Sequence, residues 1–336
     1  MIDFTMYKFS INQFGGTALK GTIITPEMTY LIKKKDPIRN KEHFDTLYSS
    51  SIYSEDIGCK IYRLLGLEVQ NTFLCKCKDK DKVISCCACE VFSSEKKNLI
   101  EFRKCLISNI SSSSSNGKVT PIESILEVLR ENYPYNLHPE FEERFWDMMV
   151  VDALIHNSDR HLDNWGFLNN KDDESKISLA PVYDCGSSFS AHLSETGCLK
   201  CLNSPSLLSM KELNVALPFS YNGKRVFITE IFKDPPGGLK NSILKLVPRI
   251  ESSKNEIDKL VKEEEEVSKI RKDFIIASMN LRFNRVLKPA LKRCENMNCE
   301  REFTRRTNHE SDEASHKMDN KKMDSLSNES CSSFHL

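Results

Sequence analysis

The chain has 336 residues, 39% hydrophobic and 29% charged, enough for one sizeable core or for two lobes and a tail. Its 48 basic and 48 acidic residues cancel, which excludes whole-chain attraction to nucleic acid or to a membrane surface, and no direct nucleic-acid binding is expected. No apolar run approaches the roughly 20 residues of a membrane-spanning helix, and MIDFTMYKFS has no basic segment followed by an apolar one, so neither a membrane span nor a signal peptide is expected. With its thirteen cysteines read as free thiols, the chain is expected to be cytoplasmic as made.

Residues 1–92 read as strand-rich. MYKFSI (6–11), GTIIT (21–25) and TYLIKK (29–34) have the β-branched and aromatic content of strands, and the first two flank a turn holding Gly15 and Gly16. SEDIGCKIYRLLGLEV (54–69) turns helical, with Ile57, Ile61, Leu64 and Leu65 on one face and Gly66 at the stop. NTFLCKCKDKDKVISCCACEVF follows as a hairpin around KDKDK. Alternation puts Cys75 and Cys77 on one face, and the cluster Cys75, Cys77, Cys86, Cys87 and Cys89 reads as small hydrophobes in preference to a zinc or disulfide site.

SNISSSSSNGK (108–118) is a low-complexity break and reads as a loop. PIESILEVLREN (121–132) and HPEFEERFWDMMVVDALIHN (138–157) are helical, the second apolar almost all round as in a buried core helix. GFLNNKDDESKISLAPVYD reads as a hairpin ending at Asp184. Residues 210–292 read as mainly helical, with a charged segment at 257–274 taken as a solvated helix face, and the polar stretch 295–336 as a disordered tail.

The chemistry concentrates in HNSDRHLDNWGF (156–167), directly after the buried helix. Asp159 and Asn164 lie five positions apart, and Asp184 follows 25 residues after Asp159. A carboxylate that orients an acceptor hydroxyl, with a carboxamide and a second carboxylate that hold Mg²⁺ against nucleotide phosphates, is the equipment of phosphoryl transfer. The first half supplies the rest. Backbone N–H groups at Gly15 and Gly16 can face phosphates, Lys33 can reach the α/β-phosphates, Glu55 can pair with that lysine, and the chain from Glu90 to Phe92 falls where an adenine-binding hinge belongs. Arg160 and Asp163 fit either substrate contact or a loop-shaping ion pair, and Asp159 and Asn164 could by themselves be turn caps.

YLIK (30–33), SEDIGCKIYRLLGLEV, HNSDRHLDNWGF and LAPVYDCGSSF (179–189) resemble the motifs of the HipA-like serine/threonine kinases, in their compact form, over residues 5 to 290. The resemblance implies a two-lobed, protein-kinase-like α/β fold that uses ATP and Mg²⁺ and takes a protein as substrate. Asp159 matches the catalytic Asp, Asn164 and Asp184 the metal-binding pair, Lys33 and Glu55 the ion pair of the small lobe, and His161 the histidine two residues after the catalytic Asp. It also implies delivery into host cells with a role in virulence, and self-phosphorylation is expected from composition. Two departures stand out. The family's larger members carry an extra subdomain before the Gly-rich turn, whereas this sequence begins almost at that turn, so their pairing with a DNA-binding antitoxin is not expected here. FGGTALKG also differs from the family's Ser-Gly-Ala-Gln pattern.

The expected organisation is a small lobe at 1–92, a large lobe at 93–294 and a tail at 295–336. Two rivals stay open. DRHLDN also fits the loop of phosphoinositide kinases, although residues 185–204 hold one lysine where an anionic headgroup wants several, and small-molecule kinases share the same equipment. The second rival is a nucleotide-binding module without transfer. The serine run and Ser187 and Ser188 are candidate self-phosphorylation sites by composition.

Overall fold

The computed structural model describes residues 1–8, 10, 20–35, 49–94, 96–109 and 119–297. Gly15 and Gly16, residues 110–118 of the serine run and residues 298–336 of the expected tail lie outside the described residues. The chain divides into two units, one spanning Met1–Ala290 and a second beginning at Leu291, of which residues 291–297 are described and helical.

Alternating side chains build the first layer. It contains β1 (Ile2–Asp3), β2 (Lys20–Ile24), β3 (Thr29–Lys34), then helix α1 (Ser51–Leu64) and the hairpin β4 (Thr72–Asp79) and β5 (Lys82–Glu90). The strands form one sheet in the order β1-β4-β5-β3-β2, antiparallel except for β1 beside β4. One face packs Phe4, Ile23, Ile32, Cys75, Cys77, Cys86 and Ala88. The other sets Leu74, Cys87 and Cys89 against Ile52 of α1. The cysteines therefore work as small core residues on both faces of the hairpin, and alternation places Cys75 and Cys77 together as expected.

Two expectations need correction here. Residues 6–8 form no strand, and among the described residues of 6–11 only Ser10 pairs, bridging Thr22; Phe4 is the buried anchor while Met6 and Tyr7 face solvent. Helix α1 begins at Ser51, so Glu55 lies in its second turn and not at its N-terminus. Gly66 ends it as expected, at φ +77°, a conformation that strains any residue with a Cβ.

The second layer starts with β6 (Lys97–Glu101), α2 (Phe102–Asn109), β7 (Thr120–Pro121), α3 (Ile122–Glu131) and α4 (Pro139–Ile155). The hairpin β8 (Gly166–Asn170) and β9 (Asp173–Leu179) follows, and β6 joins it in a three-stranded sheet. Then come α5 (Glu195–Leu202), α6 (Pro205–Leu213), β10 (Ala216–Tyr221), β11 (Lys224–Phe227) and α7 (Ile228–Ile231). The chain continues with α8 (Gly237–Ser252), α9 (Lys254–Glu263) and α10 (Lys269–Arg282). Helix α4 is buried on nearly every side, as its composition predicts, and packs along α8. No helix among the described residues is long and apolar enough to cross a membrane.

The stretch 210–292 is less uniformly helical than expected. β10 and β11 pair antiparallel within it, joined by Asn222 and Gly223, both at positive φ. Asn-Gly is the dipeptide that such a two-residue hairpin favours, and it stands in the sequence. The charged segment at 257–274 is two helices, since the chain leaves helical geometry at 264–268, and Ile257, Val261 and Phe274 are buried.

Helix α1 is tied to the helical layer as well as to the sheet. Arg249 Nη1 donates to the Leu65 carbonyl at 2.6 Å and Arg144 Nη1 to that of Glu68 at 3.1 Å. Lys60 reaches Glu264 at 2.9 Å. Val69 bridges Val182 through main-chain bonds from Gln70 N–H to Val182 C=O and from Val182 N–H to Glu68 C=O.

Candidate active site

The loop that carries Asp159 is fixed by a charge buried beneath it. Asp152, in the last turn of α4, accepts hydrogen bonds from Tyr62 Oη at 2.8 Å, Asn157 Nδ2 at 3.1 Å and Arg160 Nε at 2.8 Å. Arg160 Nη1 then donates to the Asn164 carbonyl at 2.8 Å and to the Tyr183 carbonyl, and Nη2 approaches Cys185 Sγ. One guanidinium thus joins the helix end, the loop and the residue before Asp184. Between the two roles open for Arg160, the geometry favours shaping the loop. Asp163 does the same at the surface, where Arg103 Nε meets both its oxygens at 2.7 and 3.0 Å.

His156 ends α4 in the left-handed conformation, φ +58°, and turns the chain into the loop. Asn164 Nδ2 donates to the Asp159 carbonyl at 2.8 Å. That bond fixes the carboxamide beside Asp159. His161 Nδ1 accepts the Asp163 N–H at 3.2 Å, and Nε2 lies 4.0 Å from Asp159 Oδ2. The Asp159 carboxylate opens into a cleft with its side chain 55% exposed. Partial loss of water raises its pKa, His161 opposes this, and Asp184 adds to the rise.

Three residues distant in sequence meet on the far wall. Lys33 Nζ lies 2.8 Å from Glu55 Oε2 and 2.9 Å from Asp184 Oδ1. Burial would lower the lysine's pKa, but Asp184 and Glu55 together hold it well above its usual value. Burial likewise pushes Asp184 up, while Lys33 first, then Lys20 and Arg160, keep it well below the ordinary carboxylate range. Asp184 adopts φ +61°, and the chain then passes Gly186, where a Cβ would stand 3.1 Å from Glu55 Oε2.

These groups line one cleft of about 610 Å³, which includes Lys33, Glu55, Asp159, His161, Asn164 and Asp184, and which Val91 and Phe92 also line. Glu90 stands apart. Its N–H donates to the Asn71 carbonyl at 2.9 Å, its C=O accepts from Gln70 Nε2 at 2.9 Å, and its carboxylate accepts from Asn71 Nδ2 at 2.7 Å. Phe92 lies against Tyr183, ring centroids 5.7 Å apart.

The chemistry of the donor set fits Mg²⁺. Asn164 and Asp184 offer a carboxamide and a carboxylate, hard oxygen donors of the number this ion takes from protein when phosphates complete its shell.

Several supporting residues carried no sequence signal of their own. Asp152 was visible only as one polar position on an apolar helix, and Gln70 and Arg103 belonged to no motif. Glu212 on α6 is fully buried and pairs with Arg282, with His156 Nδ1 at 2.8 Å and with Ser190 Oγ at 2.8 Å. Burial raises its pKa, but Arg282 and His156 outweigh this and hold it at about 2.

Known proteins resemble this chain over most of its length. The chain is 27% identical over 294 residues to the serine/threonine-protein kinase CtkA of Helicobacter pylori, covering 85% of this chain and 86% of that protein. The crystal structure of the proinflammatory kinase CtkA of H. pylori superposes with TM-score 0.78 at 25% identity, over 88% of this chain and 98% of that one. HipA of Shewanella oneidensis, solved with HipB and operator DNA, shares the fold alone, with TM-score 0.50 at 12% identity over 85% of this chain and 65% of its own. The architecture is the expected two-lobed, protein-kinase-like α/β fold. Residues 8–217, well over half of the sequence, match the HipA-like C-terminal domain, and the chain belongs to that family.

Proposed function

We propose that this kinase is an ATP-dependent serine/threonine protein kinase that transfers the γ-phosphate of ATP to protein hydroxyls, its own among them. The observation that carries the reading is the convergence of Lys33, Glu55 and Asp184 opposite Asp159 and Asn164 in one cleft. The division into a small lobe to about residue 92 and a large lobe beyond it belongs to the same proposal, with the nucleotide between them. Adenine would bond the Val91 carbonyl and main-chain atoms of Phe92, since the main-chain groups of Glu90 are already engaged and the Val91 N–H donates to the Thr29 carbonyl at 3.0 Å.

Lys33, held charged, would offset phosphate charge, and Glu55 would keep it in place. Asp159 would accept the acceptor's hydroxyl proton as the oxygen attacks. His161, positioned by the Asp163 N–H, would keep its Nε2 edge turned toward that carboxylate. Bound through Asn164 and Asp184, Mg²⁺ would neutralise charge on the phosphates. Most of the rate would come from positioning and electrostatics.

The test is transfer from γ-labelled ATP with Mg²⁺, with a basic protein and phosphoinositide vesicles offered separately. Asp159→Ala should lower transfer to protein about 10²- to 10⁴-fold while nucleotide binding persists. Label on lipid alone would overturn the protein-substrate reading, and binding without any transfer would leave a nucleotide-binding module.

A further inference from the structure

Composition offers Ser187 and Ser188 equally, but the fold separates them. Ser188 is fully buried. Ser187 lines the cleft, three residues after Asp184, and its Oγ donates to Asp159 Oδ2 at 3.4 Å. Of the hydroxyls among the described cleft residues, Tyr183 Oη is turned to the Asp163 carbonyl at 3.0 Å, whereas that of Ser187 bonds Asp159. It occupies the place of an acceptor: a primary alcohol against the carboxylate that would take its proton, beside the residues that would bind the phosphates.

We infer that Ser187 is phosphorylated by its own chain, in cis. The inference rests on the kinase reading above. Ser187 Oγ forms the new bond to the γ-phosphorus as the bond from that phosphorus to the β,γ-bridging oxygen breaks. ADP leaves with the bridging electron pair, and the hydroxyl proton passes to Asp159. The loop needs no rearrangement to bring this hydroxyl to the base, which distinguishes Ser187 from any serine delivered by a second molecule. The phosphate would add about −1.5 to −2 charges facing Asp159 and Asp184, so the event would also slow later turnovers by opposing entry of nucleotide phosphates.

The full chain is incubated with Mg-ATP over a wide range of protein concentrations, and phosphopeptides are mapped with time. An added basic protein reports the kinase activity itself. Label should appear at Ser187 at a fractional rate independent of concentration. A chain carrying Asp159→Asn, mixed with wild type, should gain none there. Transfer to the added protein should fall several-fold as Ser187 fills. A labelled added protein with Ser187 unmodified would overturn the inference and spare the kinase reading. Label on the Asp159→Asn chain, or a fractional rate rising with concentration, would overturn the cis route. No label anywhere would bring down the kinase reading and this inference with it.

Discussion

Asp152 and Glu55 are both carboxylates with almost no exposure, 4% and 0% for their side chains, and each faces a buried cation. Around Asp152 the donors and acceptors form a closed set. Arg160 spends its nitrogens on Asp152, on the carbonyls of Asn164 and Tyr183 and on Cys185. Around Glu55 the set is open. Lys33 is shared with Asp184, and Asp184 is 29% exposed to the cleft. Burial and charge alone do not separate a structural network from a functional one. The separation lies in whether any member keeps capacity for a ligand.

The largest effect should come from opening the closed set. Asp152→Ala would leave Arg160 buried without its partner and destabilise the fold by about 3–5 kcal/mol, read from denaturant unfolding. Asp184→Asn keeps Lys33 paired with Glu55, so it should destabilise less, yet lower transfer on the order of 10²- to 10³-fold. The comparison breaks if Asp184→Asn proves the more destabilising of the two.

A smaller effect should appear in pH dependence. As the proposed proton acceptor, Asp159 would work only when ionised, and its pKa is raised in the fold. The acid limb of kcat/KM should therefore lie above the ordinary carboxylate value of about 3.9, with activity lost as pH falls through it. His161 lowers that pKa, so His161→Gln should move the limb to higher pH. An unmoved limb would remove His161 from any electrostatic role. The smallest effect belongs to the surface pair. Arg103 and Asp163 are 37% and 38% exposed, and Arg103→Ala should change stability by no more than about 1 kcal/mol, measured by the same unfolding curves.

The parts legible in sequence were those with a short-range pattern. Alternation through the Cys75–Cys89 hairpin and the apolar run of α4 set their own geometry, and the order of Lys33, Glu55, Asp159, Asn164 and Asp184 exposed a site whose members meet only in three dimensions. The β10–β11 hairpin was equally local, but its Asn222–Gly223 signal was lost inside a stretch read by composition. Asp152 and Glu212 were hidden for a different reason. A buried carboxylate looks like any other until its cation is known, and the partner of Glu212 lies 70 residues away.

The anchors on α1 have a mechanical consequence. A chain whose two layers met only through residues 90–93 would flex about a single pivot. Here the Val69–Val182 bridge adds a second pivot, and Arg249, Arg144 and Lys60 fasten the helix and its exit loop to the helical layer. Helix α1 is therefore held from both sides, by the sheet at Ile52 and by the helical layer at Leu65, Glu68 and Lys60, so any opening of the cleft has to work against both sets of contacts.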